Sequence, residues 1–233
     1  MAETTKLICA LHGDGLGDLL RSSSLRDELR AAGATRLQVN IDDRDVAGAM
    51  RFGPGKAVTG VVSVWTDAER DMPALTHLVA TIGAAVAEPD LHAYRVTEKV
   101  RLDPAPGPDG VRADVLAQVA LLRRPPTMSP PDYLEYWLVQ HTPIAIRTQN
   151  TSAYIQNIVE SPLTPTSPPV AAIVEEHFPM AAISDPHAFY GSRGDEAERK
   201  RRVAELMESV HRFGADDGLD LVPSSRYQWA LRP

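Results

Sequence analysis

The chain has 233 residues, 43% hydrophobic and 24% charged, enough apolar material for one large domain or two of about 115 residues each. A net charge of -7 with no long basic run argues against an electrostatic nucleic-acid surface. The single cysteine, Cys9, excludes a disulfide framework and nearly excludes a cysteine-based zinc site; among Leu7, Ile8, Ala10 and Leu11 it reads as buried core.

No stretch approaches the roughly 18 apolar residues of a membrane span. The opening Met-Ala-Glu-Thr-Thr lacks the basic start and cleavable apolar run of a secretion signal. A cytoplasmic protein with no membrane partner is expected, so the sequon Asn150-Thr151-Ser152 carries no weight.

In chain order, the short apolar run Thr5 to Leu11 predicts a strand bounded by Gly13. A helix is expected over 18–32, with Leu25, Leu29 and Ala32 on one face and Gly33 as its stop. Alternating Leu37, Val39 and Ile41 predict a strand over 35–41. A loop through Gly53, Pro54 and Gly55 leads to a β-branched strand over 57–65. A helix over 72–82 follows, with Pro73 in its first turn and Gly83 at its end, then a strand over 91–102. The order β-α-β-β-α-β is that of a ferredoxin-like unit.

The segment from Asp103 to Gly110 holds three prolines and two glycines and predicts a linker, placed at 103–113. The pattern then repeats. Strands are expected over 115–123, 153–160, 170–180 and 219–229, with a proline-rich loop over 161–169. One helix is expected over 129–146, with Ser129 as N-cap and Pro130 in its first turn. Another is expected over 194–213, its stripe formed by Val203, Leu206, Met207, Val210 and Phe213. Two units, 1–102 and 114–233, are thus offset by roughly 110 residues. One four-stranded sheet with two helices leaves a face uncovered, and two such sheets packed together cover it. The expected fold class is α+β: two ferredoxin-like halves packed within one chain.

Gly13-Asp-Gly15-Leu-Gly17 between a strand and a helix imitates a dinucleotide-binding turn, with Asp42 and Asp43 ending the next strand. The glycine spacing is wrong, and the following elements do not keep the alternation of a parallel sheet. A plain strand-to-helix turn is the better reading.

Several residues invite chemistry. Leu134, Trp137, Leu138, His141 and Ala145 share a helical face, so His141 points at the sheet. Pro143, two residues on, disrupts the helical bond to residue 139 and bends the chain there. A histidine at such a bend suits proton transfer; the plainer reading is a hydrogen-bonded core histidine. In the strand over 170–180, Glu175 and His177 share one face, a possible acid/base pair, while Glu176 lies on the other. Tyr154 and Asn157 offer a phenol and an amide that can orient a substrate oxygen. Trp137 is a candidate pocket wall, although it, Trp65 and Trp229 are more simply read as core. His187 reads as a surface residue, and Asp195 to Arg202 as the solvated face of the last helix. The scattered histidines form no metal-binding spacing.

Residues 115–160, with Tyr136-Trp137, then His141-Thr-Pro143 and the strand Tyr154-Ile-Gln156-Asn157, resemble the EthD family. Asp185-Pro186 with Phe189-Tyr190 is also similar to that family, and the likeness covers most of 113–230. Nothing like Tyr-Trp…His-x-Pro occurs between Asp18 and Gly33, so the first half resembles a degenerate copy. The resemblance implies a dimeric α/β-barrel fold, whose relatives include cyclases, decarboxylases, cofactor-free monooxygenases and haem-dependent dehydratases. Fold therefore does not settle function. The expectation is a cofactor-independent lyase, cyclase or dehydratase acting on a small hydrophobic molecule, with aromatic and polyketide-like compounds among the candidates. His141 and His177 are its catalytic candidates, and Tyr154, Asn157, Trp137 and Glu175 its substrate-binding ones. The alternatives are a non-catalytic accessory protein that sequesters a hydrophobic metabolite, and a haem enzyme with one histidine as axial ligand. One chain can close the barrel, and superfamily habit also allows a homodimer.

Overall fold

The structure is a computed structural model that describes residues 4–67, 71–86 and 91–232; Met1 to Glu3 and Pro233 lie outside them. Eight strands form one closed antiparallel barrel: β1 (Thr5–Leu11), β2 (Arg36–Ile41), β3 (Gly60–Thr66), β4 (Leu91–Leu102), β5 (Leu116–Leu122), β6 (Ala153–Pro162), β7 (Ala172–Phe178) and β8 (Asp220–Ala230). Around the barrel the order is β1-β3-β2-β8-β5-β7-β6-β4, closing from β4 to β1. The first four strands thus run β4-β1-β3-β2 and the last four β8-β5-β7-β6, joined where β2 meets β8 and where β4 meets β6.

Alternation along each strand sends one set of side chains inwards and the other towards helices. In β1, Lys6, Ile8 and Ala10 point into the barrel, while Leu7, Cys9 and Leu11 join the helix-side cluster. That cluster packs β1 to β3 under α1 (Leu16–Leu20), α2 (Ser23–Ala31) and α3 (Met72–Val86), around Leu20, Leu25, Leu29, Leu75, Leu78 and Ile82. Helices α4 (Pro130–Glu135), α5 (Thr142–Thr148), α6 (Pro186–Tyr190) and α7 (Glu196–Arg212) belong to the later strands. Cys9 is fully buried, and its thiol is pushed up to about 12 by desolvation, which keeps it inert.

Several boundaries differ from expectation for identifiable reasons. The helix expected over 18–32 is two helices, because the Ser22 hydroxyl accepts from Leu25 N and starts α2 afresh. Gly83 does not stop α3, which runs on to Val86 with that residue buried. The strand expected from residue 57 begins at Gly60. The strand expected over 170–180 contracts to β7, while β6 runs on to Pro162. The last helix begins at Glu196, where Asp195 caps the N–H groups of Ala197 and Glu198. Gly15 takes a left-handed φ of 70° ahead of the five-residue α1, and all strand pairing is antiparallel, so the Gly13 to Gly17 turn is a strand-to-helix turn.

The helix expected over 129–146 departs most. It runs from 130 to 148, but Tyr136–His141 between α4 and α5 is wound as π-helix. Pro143 has no N–H to donate, so the α-helical bond to residue 139 cannot form. The chain widens instead: the Thr142 N–H reaches back to the Trp137 carbonyl, and the Thr142 hydroxyl donates to the same oxygen at 2.8 Å. The expected bend is realised as this widened turn, directly beneath His141.

Candidate functional site

The barrel wall separates the six candidate residues into two groups. Glu175, His177 and Asn157 point inwards. His177 Nε2 lies 2.8 Å from Glu175 Oε1, Gln38 donates to Glu175 Oε2 at 2.7 Å, and Arg226 Nε approaches Glu175 at 3.1 Å. Asn157 accepts from Lys6 Nζ at 2.7 Å and donates to the Ile173 carbonyl. Burial alone would raise the Glu175 carboxyl, but the His177 hydrogen bond, the Arg226 charge and Gln38 bring it well below the usual carboxylate range. Glu175 is therefore an ionised partner in a buried network, in which Arg226 Nε approaches the carboxylate without an aligned hydrogen bond. His177 is bonded to it through Nε2.

Trp137, His141 and Tyr154 lie on the other side of the wall, at a cavity of about 740 Å³ between β5-β7-β6 and the π-helical turn, α6 and α7. Its lining is mainly aliphatic and aromatic, with Leu206, Met207 and Val210 from α7 and Phe213 beyond it. Across its floor one rung of the sheet carries three polar side chains. Gln118 on β5 pairs with Glu176 on β7, and Glu176 pairs with Tyr154 on β6. The rung at the same place under the first helices, Leu7 on β1, Val64 on β3 and Leu37 on β2, is apolar and buried.

Polar groups in this cavity are short of partners. Gln118 is 5% exposed, and its side chain makes no hydrogen bond among the described residues. Trp137 Nε1 is buried and unbonded; Tyr154 is near enough to feel the indole, but the pair is not aligned as a hydrogen bond. The Glu176 carboxyl meets one donor, the Gln149 amide at 3.0 Å once that amide is turned to face its acceptors. Desolvation pushes Glu176 up to about 8. His141 Nδ1 lies 3.0 Å from Ser209 Oγ, its ring packs on Phe213 at 4.7 Å, and burial holds its pKa down to about 4. The imidazole is therefore neutral at pH 7. Burial and the nearby Glu176 carboxyl push Tyr154 well above its usual value, so it stays a phenol.

Glu176 and Gln118 were not among the sequence candidates. In β7 a carboxylate falls on each face, and only the barrel decides which of them meets the helices. Gln118 sits in an apolar strand without a motif.

The cavity mouth is roofed from the other end of the chain. Phe52 bridges to Leu221 on β8 through paired backbone bonds of 3.3 and 2.9 Å. This brings Met50, Phe52 and Pro54 into the lining, with Met50 54% and Phe52 53% exposed. Among the described residues no three His, Cys, Asp or Glu side chains are grouped to hold a metal. The cavity lining has one histidine and no lysine or arginine, so it offers a haem one candidate axial ligand and no cation to pair with its propionates.

No protein-family model and no curated protein matches the chain. Solved structures do. An anthrone oxidase-like protein superposes with a TM-score of 0.55 at 8% identity, covering 99% of this chain and 94% of that one. A putative monooxygenase from Lactobacillus acidophilus NCFM gives 0.50 at 10% identity, covering 98% and 96%. The overall fold is thus shared with proteins named as an anthrone oxidase-like protein and a monooxygenase. The EthD likeness itself rests on the residues quoted for it.

Proposed function

We propose that the chain is a cofactor-independent enzyme that moves a proton on a small hydrophobic, aromatic molecule held between the second set of helices and the sheet. The observation that carries this reading is the rung Gln118–Glu176–Tyr154, with the unbonded Trp137 N–H, set into a mainly apolar cavity. Buried polar groups without partners are costly, and an oxygenated ligand would satisfy them. Glu176 takes the leading role. A carboxyl poised near neutral pH can donate a proton or, once ionised, accept one from a phenol or an enolisable ketone. His141, neutral and anchored at Nδ1 by Ser209, is left as a hydrogen-bonding partner at Nε2. Gln118 and Trp137 would orient a carbonyl. His177, Glu175 and Asn157 are better read as barrel structure.

Residues 1–102 and 114–233 are, in this reading, two copies of one ferredoxin-like unit joined by the 103–113 linker, supported by their matching strand orders. The second copy holds the site. The neighbours' names, anthrone oxidase-like and monooxygenase, fit the same first step. Removing a proton from an enolisable aryl ketone precedes oxidation as it precedes elimination, and dioxygen uptake separates the two.

The test is a turnover screen of phenols and hydroxyaryl ketones followed by Glu176→Gln on any hit. Loss of a general acid/base should lower kcat by about 100-fold or more, with substrate affinity retained. In the parent protein kcat should change as pH passes through about 8. Unchanged kcat in Glu176→Gln would sink the assignment.

A further inference from the structure

The charge around the cavity is one-sided. Among the described residues its lining holds three carboxyl groups, Glu176 on the floor and Asp216 and Asp217 at the mouth, and no lysine or arginine. Cations on the flanking elements are engaged elsewhere. Arg123 binds the Gly218 carbonyl and Asp220. Arg202 binds Glu198 at 2.6 Å and the Tyr190 carbonyl at 2.8 Å. Arg51, between the two exposed residues of the roof, is held by Asp42 at 3.0 and 2.9 Å. His211, whose Nδ1 lies 2.5 Å from Asp216, stands outside the lining.

An anion entering here would pass two carboxylates, shed its water and find only neutral donors, among them the Gln118 amide and the Trp137 N–H. Desolvating a charge costs several kcal/mol unless an opposite charge replaces the water. An uncharged carbonyl or hydroxyl asks only for those donors. Resting on the reading of this cavity as the ligand site, we infer that it selects against anions. Its ligand enters and binds uncharged or cationic, and free carboxylates, phosphates and sulfonates are kept out, as are acyl groups on phosphate-bearing carriers. Asp216 and Asp217 are the specificity-determining residues of the mouth.

Two fluorescent probes isolate the charge. N-phenyl-1-naphthylamine and its 8-sulfonate share a ring system and differ by one negative charge. The neutral dye should bind at least tenfold more tightly to the intact protein at low salt. Asp216→Asn combined with Asp217→Asn should narrow that ratio at least threefold by tightening the sulfonate alone, as should raised salt. Equal affinities, or a ratio unmoved by both changes, overturns the inference while leaving the cavity as the site. Ala120→Phe, which fills part of the cavity, should abolish binding of the neutral dye; Leu122→Phe serves if that variant does not fold. Binding that survives the filling, or no binding by either dye, removes the cavity reading and the inference with it.

Discussion

At the scale of single residues, Glu176 and His141 carry opposite pH dependences. The carboxyl moves from 4.5 to about 8 on folding, so the folded state holds its proton more tightly and stability from this group falls as pH rises between those values. The imidazole moves from 6.5 to about 4, so stability from it is lost as pH falls through that window. Between pH 4.5 and 6.5 the two slopes oppose each other; from 6.5 to 8 only the carboxyl acts. At up to about 1.4 kcal/mol per pH unit, the parent protein should lose on the order of 1–2 kcal/mol across that upper interval. Urea denaturation at several pH values should show the loss in the parent and in His141→Asn, and none in Glu176→Gln. A loss that persists in Glu176→Gln places the titrating group elsewhere. His141 and Tyr154 were legible in the sequence through spacing and resemblance. Glu176 was not, because Glu175 and Glu176 are adjacent and period-2 alternation names two faces without saying which is inside. The neighbouring histidine drew attention to Glu175, which the barrel turns inwards to Gln38 and Arg226, whereas Glu176 lines the cavity under the helices.

At the scale of elements, the π-helical turn is where backbone and site meet. Pro143 announces a disruption, but periodicity cannot tell a kink from a widened turn, because the choice depends on where the freed groups find partners. Here Thr142 supplies them: its hydroxyl donates to the Trp137 carbonyl and accepts from Gln156 Nε2 at 2.8 Å, while Gln156 is also held by Arg101. Thr142→Val would leave the buried Gln156 amide without its acceptor. Thr148, on the same helix, spends its hydroxyl on the Ile144 and Ala145 carbonyls alone, so Thr148→Val strands no buried amide. An unsatisfied buried donor costs about 1–3 kcal/mol. Thr142→Val should therefore destabilise by at least about 1 kcal/mol more than Thr148→Val. Equal losses would show that the hydroxyl does not brace the turn. The other element-level departures share this character. Ser22 splitting one helix is a capping choice visible only once the side chain is seen to turn back, and Gly83 is carried through α3 because the buried Val86 beyond it repays the roughly 1 kcal/mol a helical glycine costs.

At the scale of the whole molecule, the element order and the proline-rich break at 103–113 made the barrel foreseeable; the roof of the cavity was not, because the Phe52–Leu221 bridge joins residues far apart in sequence with no patterned signal. The same topology makes a prediction about the two halves. In the intact chain the outer strands of the second half, β6 and β8, are paired by β4 and β2 of the first. Residues 111–233 alone would expose both edges and the inward faces of four strands, including Val119, Leu121, Ile173 and Val222. Open edges and a bare apolar face are unstable in water. If the halves are copies of one unit, β2 corresponds to β6 and β4 to β8. Two copies of the fragment could then pair β8 to β6 twice about a two-fold axis, closing an eight-stranded barrel with isologous seams. The fragment should run as a dimer by light scattering, with a concentration-dependent melting temperature. It should bind cavity ligands with faster release than the intact chain, since the Met50 and Phe52 roof is gone. A stable fragment monomer would mean that the edges do not need covering, and a fragment that only aggregates would mean that the two seams are not interchangeable.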